Sequence, residues 1–124
     1  MKKGKSGFTE NNYMKIEIDF EHPYFSEKAV SELTTKDLDD FYVVEDEVNR
    51  LNLFFVMEAS LHRFQREKKA EVAAKCAFLI AYYLLVPLTP PASLELAEFY
   101  IDKALELNET QEYREWKKYI DEGN

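Results

Sequence analysis

Residues 70–86 read AEVAAKCAFLIAYYLLV, and Pro87 follows. Val72, Ala73, Cys76, Ala77, Ile80, Ala81, Leu84 and Leu85 recur at helical spacing, and Phe78, Leu79, Tyr82 and Tyr83 complete the girth. A helix apolar on nearly all sides belongs in the middle of a fold or at an oligomer interface. Ala73, Ala74, Ala77 and Ala81 are small enough to let neighbouring helices come close. The most apolar part, Cys76 to Val86, is 11 residues long. A membrane span needs roughly 18, so the stretch is predicted to be a buried helix and not an anchor.

Downstream, Pro87-Leu88-Thr89-Pro90-Pro91 ends this helix and starts another. Thr89 is a candidate N-cap with Pro90 in the first helical position, and Ser93 is the competing cap. Leu94, Ala97, Ile101, Ala104 and Leu105 form one stripe, with Leu96, Tyr100 and Leu107 beside it. Asn108 closes that helix and Thr110 can cap the last one. There Tyr113, Trp116 and Ile120 follow i, i+3, i+7 spacing, and Gly123 supplies the stop.

Upstream, a helix is predicted from about Val44 to Arg66 or Glu67. Val44, Val48, Leu51, Phe55 and Ala59 make its core face, and Phe54, Met57, Leu61 and Phe64 widen it. Glu67-Lys68-Lys69 marks the junction with the next helix, although no glycine or proline enforces it. Ser26 to Leu33 forms a short helix, and Thr35 with Asp37, Asp39 and Asp40 resembles the first turn of another. Met14 to Phe20, MKIEIDF, alternates apolar and polar residues as a half-buried strand does. A lone strand must pair with Phe41-Tyr42-Val43-Val44, pair with a second copy, or lie extended across the helices. His22-Pro23 ends it.

Three glycines and four prolines in 124 residues leave few turns, which disfavours a sandwich or barrel. The fold class is therefore all-α: a small bundle of about five helices, stacked as hairpins, with a short N-terminal strand or extended segment. Residues 14–124 make a single helical domain, preceded by a flexible basic tail at 1–13; Met14 is also a candidate translation start. The tail carries +2, from three lysines and one glutamate, so the net charge of −8 leaves −10 on the remainder. Three lysines opposed by an acidic body argue against direct nucleic-acid binding. The lone Cys76 cannot form an internal disulfide, and no apolar segment of roughly 7–15 residues follows the first lysines. Both facts suit a reducing, cytoplasmic setting.

Leu94 to Asn108, with the turn to Tyr113 and Trp116, resembles the second helix of a tetratricopeptide repeat running into the next helix (residues 94–116). Ala97, Ile101, Ala104 and Leu105 occupy the family's small, large, alanine and leucine slots, and Glu109 stands where proline is common. The preceding helix lacks the family's tryptophan, leucine-glycine and tyrosine series, and no copy recurs at a 34-residue spacing. The resemblance implies helix-hairpin stacking and a peptide- or protein-binding surface.

Chemistry-bearing patterns are sparse. Glu58 and His62 are four apart on a helix, but no further ligands complete a metal site. Asp37, Asp39, Asp40, Glu45, Asp46 and Glu47 cluster as acids do at helix starts, without the alternation and central glycine of a calcium loop. No phosphate-binding loop, nucleophile elbow or Cys-x-x-Cys occurs, so no catalytic residue, metal or cofactor is assigned. The informative excess is aromatic, with eight Tyr, nine Phe and one Trp. Phe41, Tyr42, Phe99, Tyr100, Tyr113, Trp116 and Tyr119 are the candidate partner-binding residues, because exposed aromatics favour protein contact. The expected function is a non-enzymatic protein–protein interaction module or small adaptor that binds a protein partner or itself, as a homodimer. The alternative is an acidic regulator or inhibitor, of phage or mobile-element type, acting on a basic nucleic-acid-binding protein.

Overall fold

The computed structural model describes residues 16–123. The predicted basic tail, 1–13, and the first two residues of the predicted strand lie outside them. Among the described residues the fold is all-α, with six α-helices and a short π-helical turn.

Side-chain caps set most helix starts. Ser26 caps α1, Glu27–Glu32, its hydroxyl accepting the Ala29 N–H at 3.0 Å. Thr34 and Asp37 form a reciprocal capping box on α2, Thr35–Val44. Asp46 caps α3, Glu47–Arg66, through the Asn49 N–H at 2.9 Å. The chain then turns through Lys68, whose φ of +61° is left-handed. Its N–H reaches the Gln65 carbonyl and the Lys69 N–H reaches the Phe64 carbonyl, at 3.0 and 2.9 Å. These are the bonds of a C-terminal turn normally given to glycine, made here by a lysine.

The apolar stretch forms α4, Ala70–Tyr83, continued by the π turn Leu84–Leu88. Pro87 lies inside that turn. Proline has no N–H to give and clashes with the carbonyl four residues back, and a widened turn relieves both problems. The Thr89 N–H closes it on the Leu84 carbonyl, five residues earlier, at 3.2 Å. Thr89 itself is left-handed, as is Ala92. Helix α5, Ser93–Leu107, therefore starts behind Ala92 with no side-chain cap. Neither predicted cap is used: Thr89 ends the π turn and Ser93 is already helical. Thr110 does cap α6, Gln111–Asp121, through the Tyr113 N–H at 3.1 Å, and Gly123 takes a positive φ behind it.

Ile16 to Asp19 is irregular and joins no strand. The stretch proposed to pair with it, Phe41 to Val44, is the last part of α2. An isolated strand has no ladder to complete within the chain; Ile16 is buried in the core and Ile18 packs on its edge.

Helix α4 is the centre, packed against α1, α2, α3 and α5. Cys76 and Tyr83 face α3: the Cys76 thiol donates to the Met57 carbonyl at 3.1 Å, and the Tyr83 hydroxyl donates to the Arg50 carbonyl at 2.7 Å. Half a turn away, Phe78 and Tyr82 meet the rings of Tyr113 and Trp116 on α6. The helical run Ala70–Leu88 is 19 residues long and, by length and composition, reaches a membrane span, beyond the 11 counted from its most apolar part. Most of it is buried among the chain's own helices. Lys117 ties α6 to α5 by gathering Glu98, Asp102 and Asp121 within 2.9–3.2 Å. These carboxylates, Asp102 foremost, hold its ammonium pKa up.

In α3 only part of the predicted face is core: Met57, Leu61 and Phe64, which widened it, are buried, and the central stripe is not. Leu53, Met57, Ser60, Leu61 and Phe64 are buried, while Val48, Leu51 and Phe55 are 67%, 52% and 61% exposed. Val44, assigned to the same stripe, ends α2 and is also exposed.

Candidate interaction surface

The two apolar stripes of α3 lie about 180° apart at 100° per residue. The inner stripe is committed to α4. The outer one runs from Val48 through Leu51 to Phe55, and a second wall stands beside it. That wall is the segment from Ile18 to Pro23. With Asn52, Phe55, Val56 and Ala59 of α3 it encloses a groove of about 180 Å³. Phe20, on the wall, is 79% exposed.

Ser60 anchors the wall. Its hydroxyl is buried, donates to the Val56 carbonyl at 2.7 Å and accepts the Phe25 N–H at 2.9 Å. A serine buried in mid-helix needs such a partner set, because an unmade bond there costs about 1–3 kcal/mol. Farther along, the Arg63 guanidinium lies over the Tyr24 ring, 4.8 Å from its centroid. At the tip Asp19 accepts from the Glu21 N–H and meets His22 Nδ1, each at 3.0 Å. The bond to His22 holds the Asp19 carboxyl below its ordinary pKa.

The groove also connects to α5. Phe55 packs edge-on to Phe54, Phe54 to Tyr100, and Tyr100 to Phe99, with centroids 5.2, 6.3 and 5.0 Å apart. The Tyr100 hydroxyl bonds the Glu58 carboxylate. Burial, then this bond, raises the phenol's pKa. Exposed rings therefore stand at both ends of one aromatic run, Phe55 and the 59%-exposed Phe99.

The seven aromatics singled out from sequence divide among several places. Phe99 and Tyr100 join this run. Phe41, Tyr100 and Tyr113 are buried, which corrects their reading as surface rings. Helix amphipathicity turns each inward: Tyr113 stacks on Phe78 of α4, and Tyr100 meets Phe54 and Glu58 of α3. Tyr42 is half-buried under the Arg50 guanidinium, 3.9 Å from its ring centroid, whose Nε donates to the Tyr42 carbonyl at 2.7 Å. Trp116 and Tyr119 belong to a separate cluster across α4, where Tyr119 is 44% exposed. Sequence reading placed Val48, Leu51 and Phe55 on a packed helix face and Phe20 on the apolar face of a half-buried strand, and all four are exposed. The available signal was that α3 holds apolar residues on opposite sides, more than one packed face can use.

The acids at 37–47 are largely taken up by structure. Asp37 and Asp46 cap helices, and Asp40 pairs with Lys36 at 2.8 Å. Asp39 accepts the Tyr82 hydroxyl at 2.9 and 3.0 Å; burial, followed by this carboxylate, pushes the phenol up to about 12. Glu58 turns to Tyr100 and His62 is exposed. Among the described residues no three His, Cys, Asp or Glu side chains are placed to share a metal ion. Burial pushes the Cys76 thiol up to about 12, so it is a packing group and not a nucleophile. Set against protein-family models, curated proteins and solved structures, the chain matches none of them.

Proposed function

We propose that this chain is a non-enzymatic interaction module that docks a protein partner on the outer face of α3. One observation carries the reading: a helix whose inner stripe is wholly buried presents a second stripe, Val48–Leu51–Phe55, to solvent beside an apolar groove. Contiguous exposed apolar surface rimmed by polar residues is characteristic of binding sites. The groove lining is apolar but for Asp19 and Asn52, and Asp19 is engaged in a local turn with Glu21 and His22, which suits contact better than chemistry.

The test separates folding from binding. Leu51→Glu with Phe55→Glu removes no buried packing, so circular dichroism and urea midpoint stay near those of the parent. A photo-crosslinking phenylalanine analogue at position 55 should yield a discrete heavier adduct in host cells, lost when Leu51→Glu is added. The same label at Lys36, exposed on α2 and outside the groove lining, should yield none. Equal adducts from both positions, or none from either, would remove the reading.

A further inference from the structure

Resting on that reading, we infer that the occupant of the α3 groove is a cationic amphipathic helix of another protein, with apolar side chains at i, i+3 or i+4, and i+7 and lysine or arginine along its edges.

The α3 residues that line the groove, Asn52 to Ala59, span about 10 Å at 1.5 Å per residue, or two helical turns. Exposed Val48 and Leu51 continue the apolar line of Phe55 and Ala59 by one more turn, and Ile18 and Phe20 line the groove's other side. A groove of this kind takes a helix by its apolar stripe, the mode in which one amphipathic helix lies along another.

Charge then selects among helices. Glu17, Asp19 and Glu21 are exposed along the wall, and Glu45, Asp46 and Glu47 stand at the start of α3. The nearest cation on that half of the helix, Arg50, is committed to the Tyr42 carbonyl and ring. Asp19 itself lines the groove. An apolar floor with an acidic wall along one side and acids at the N-terminal end of its helix is complementary to an apolar stripe with basic residues beside it, and rejects an acidic one.

The same acids disfavour a second copy of the chain. A two-fold pairing must place the same patch on both sides. Centred on Leu51 and Asn52, it would set the acidic start of one α3 against the Glu58 turn of the other, and wall against wall. The acids of the two copies would then meet at the wall and at both ends of the contact.

The probe is a synthetic 14-residue helix with leucine on one stripe and lysine on its flanks, compared with the same peptide carrying glutamate in place of lysine. Fluorescence anisotropy against the full chain should show the lysine peptide binding about tenfold or more tightly than the glutamate peptide, and weakening as salt rises. Phe55→Glu is the decisive control, because it adds negative charge while spoiling the apolar floor. Weakening of the lysine peptide by Phe55→Glu supports the inference. Unchanged or tighter binding would mean diffuse attraction to an acidic protein, and would overturn both this inference and the α3 reading. Equal binding of the two peptides, each lost with Phe55→Glu, would overturn only the cationic partner. A chain that binds neither peptide, and sediments as a dimer dissociated by Phe55→Glu, would make a second copy the occupant and overturn the inference. A monomer that binds neither overturns it as well.

Discussion

Helix α4 is apolar around most of its girth and α3 carries two apolar stripes, yet the chain covers only α4 on all sides. Four helices close over α4, from Val72 to Leu84. Helix α3 has α4 on its inner face and Tyr42 of α2 and Tyr100 of α5 at its edges, and its outer stripe is flanked by the segment from Ile16 to Phe25. An apolar stripe thus states a demand for cover without saying what supplies it. For α4 the same chain meets that demand, whereas for α3 part of it is left to something else.

The comparison is broken most severely by removing packing. Ile80→Ala in α4 should cost about 2–5 kcal/mol by urea denaturation, and Met57→Ala on the inner face of α3 a similar amount. Phe55→Ala, two residues from Met57 and on the outer face, should stay within about 0.5 kcal/mol of the parent. A large loss at Phe55 would show that the outer face is already covered.

Smaller is Ser60→Ala, which strands the Phe25 N–H and should cost about 1–3 kcal/mol. Its specific mark is faster amide exchange at Phe25 while the α4 amides keep their protection. Smaller still, and opposite in sign, is Lys68→Gly. The left-handed turn favours glycine, so the midpoint should rise by about 0.5–1 kcal/mol equivalent. A loss there would mean that the lysine side chain holds the α3–α4 junction by contact.

The smallest effect at neutral pH is that of Cys76 in the α3–α4 seam. Its folded-state pKa is raised, so burial favours the neutral thiol. That contribution is complete below the unfolded thiol's range, about 8.5, and is lost as pH climbs towards about 12. At pH 8 a thiol reagent should modify the native chain no faster than it opens. Rapid labelling would show that the seam is accessible.

Architecture was legible where one signal sufficed. The α4 run, the Thr110 cap, the Gly123 stop and the Tyr113–Trp116–Ile120 stripe all follow local rules of spacing and capping. The start of α5 was not, because Pro87 sits inside a π turn and a pair of left-handed residues replaces the expected side-chain cap. The faces of α3 were not legible either. Val48, Leu51 and Phe55 satisfy helical spacing as well as Leu53, Met57 and Leu61 do, and spacing alone cannot say which stripe α4 will meet. The candidate surface shared that fate, since Phe41 and Tyr113 look as exposed in sequence as Phe99 does. Only the arrangement of the helices separates them.

The wall of the groove has its own consequence. Between buried Ile16 and the Ser60 clasp on Phe25, it is in polymer terms a short loop whose closure entropy is already met by folding. Its midpoint, with Phe20, is held by local bonds of Asp19 to Glu21 and His22 and not by a helix. The groove therefore has one helical side and one side made of loop. Tolerance for the size of an inserted side chain is set by the loop, and the register along the groove is set by the helix.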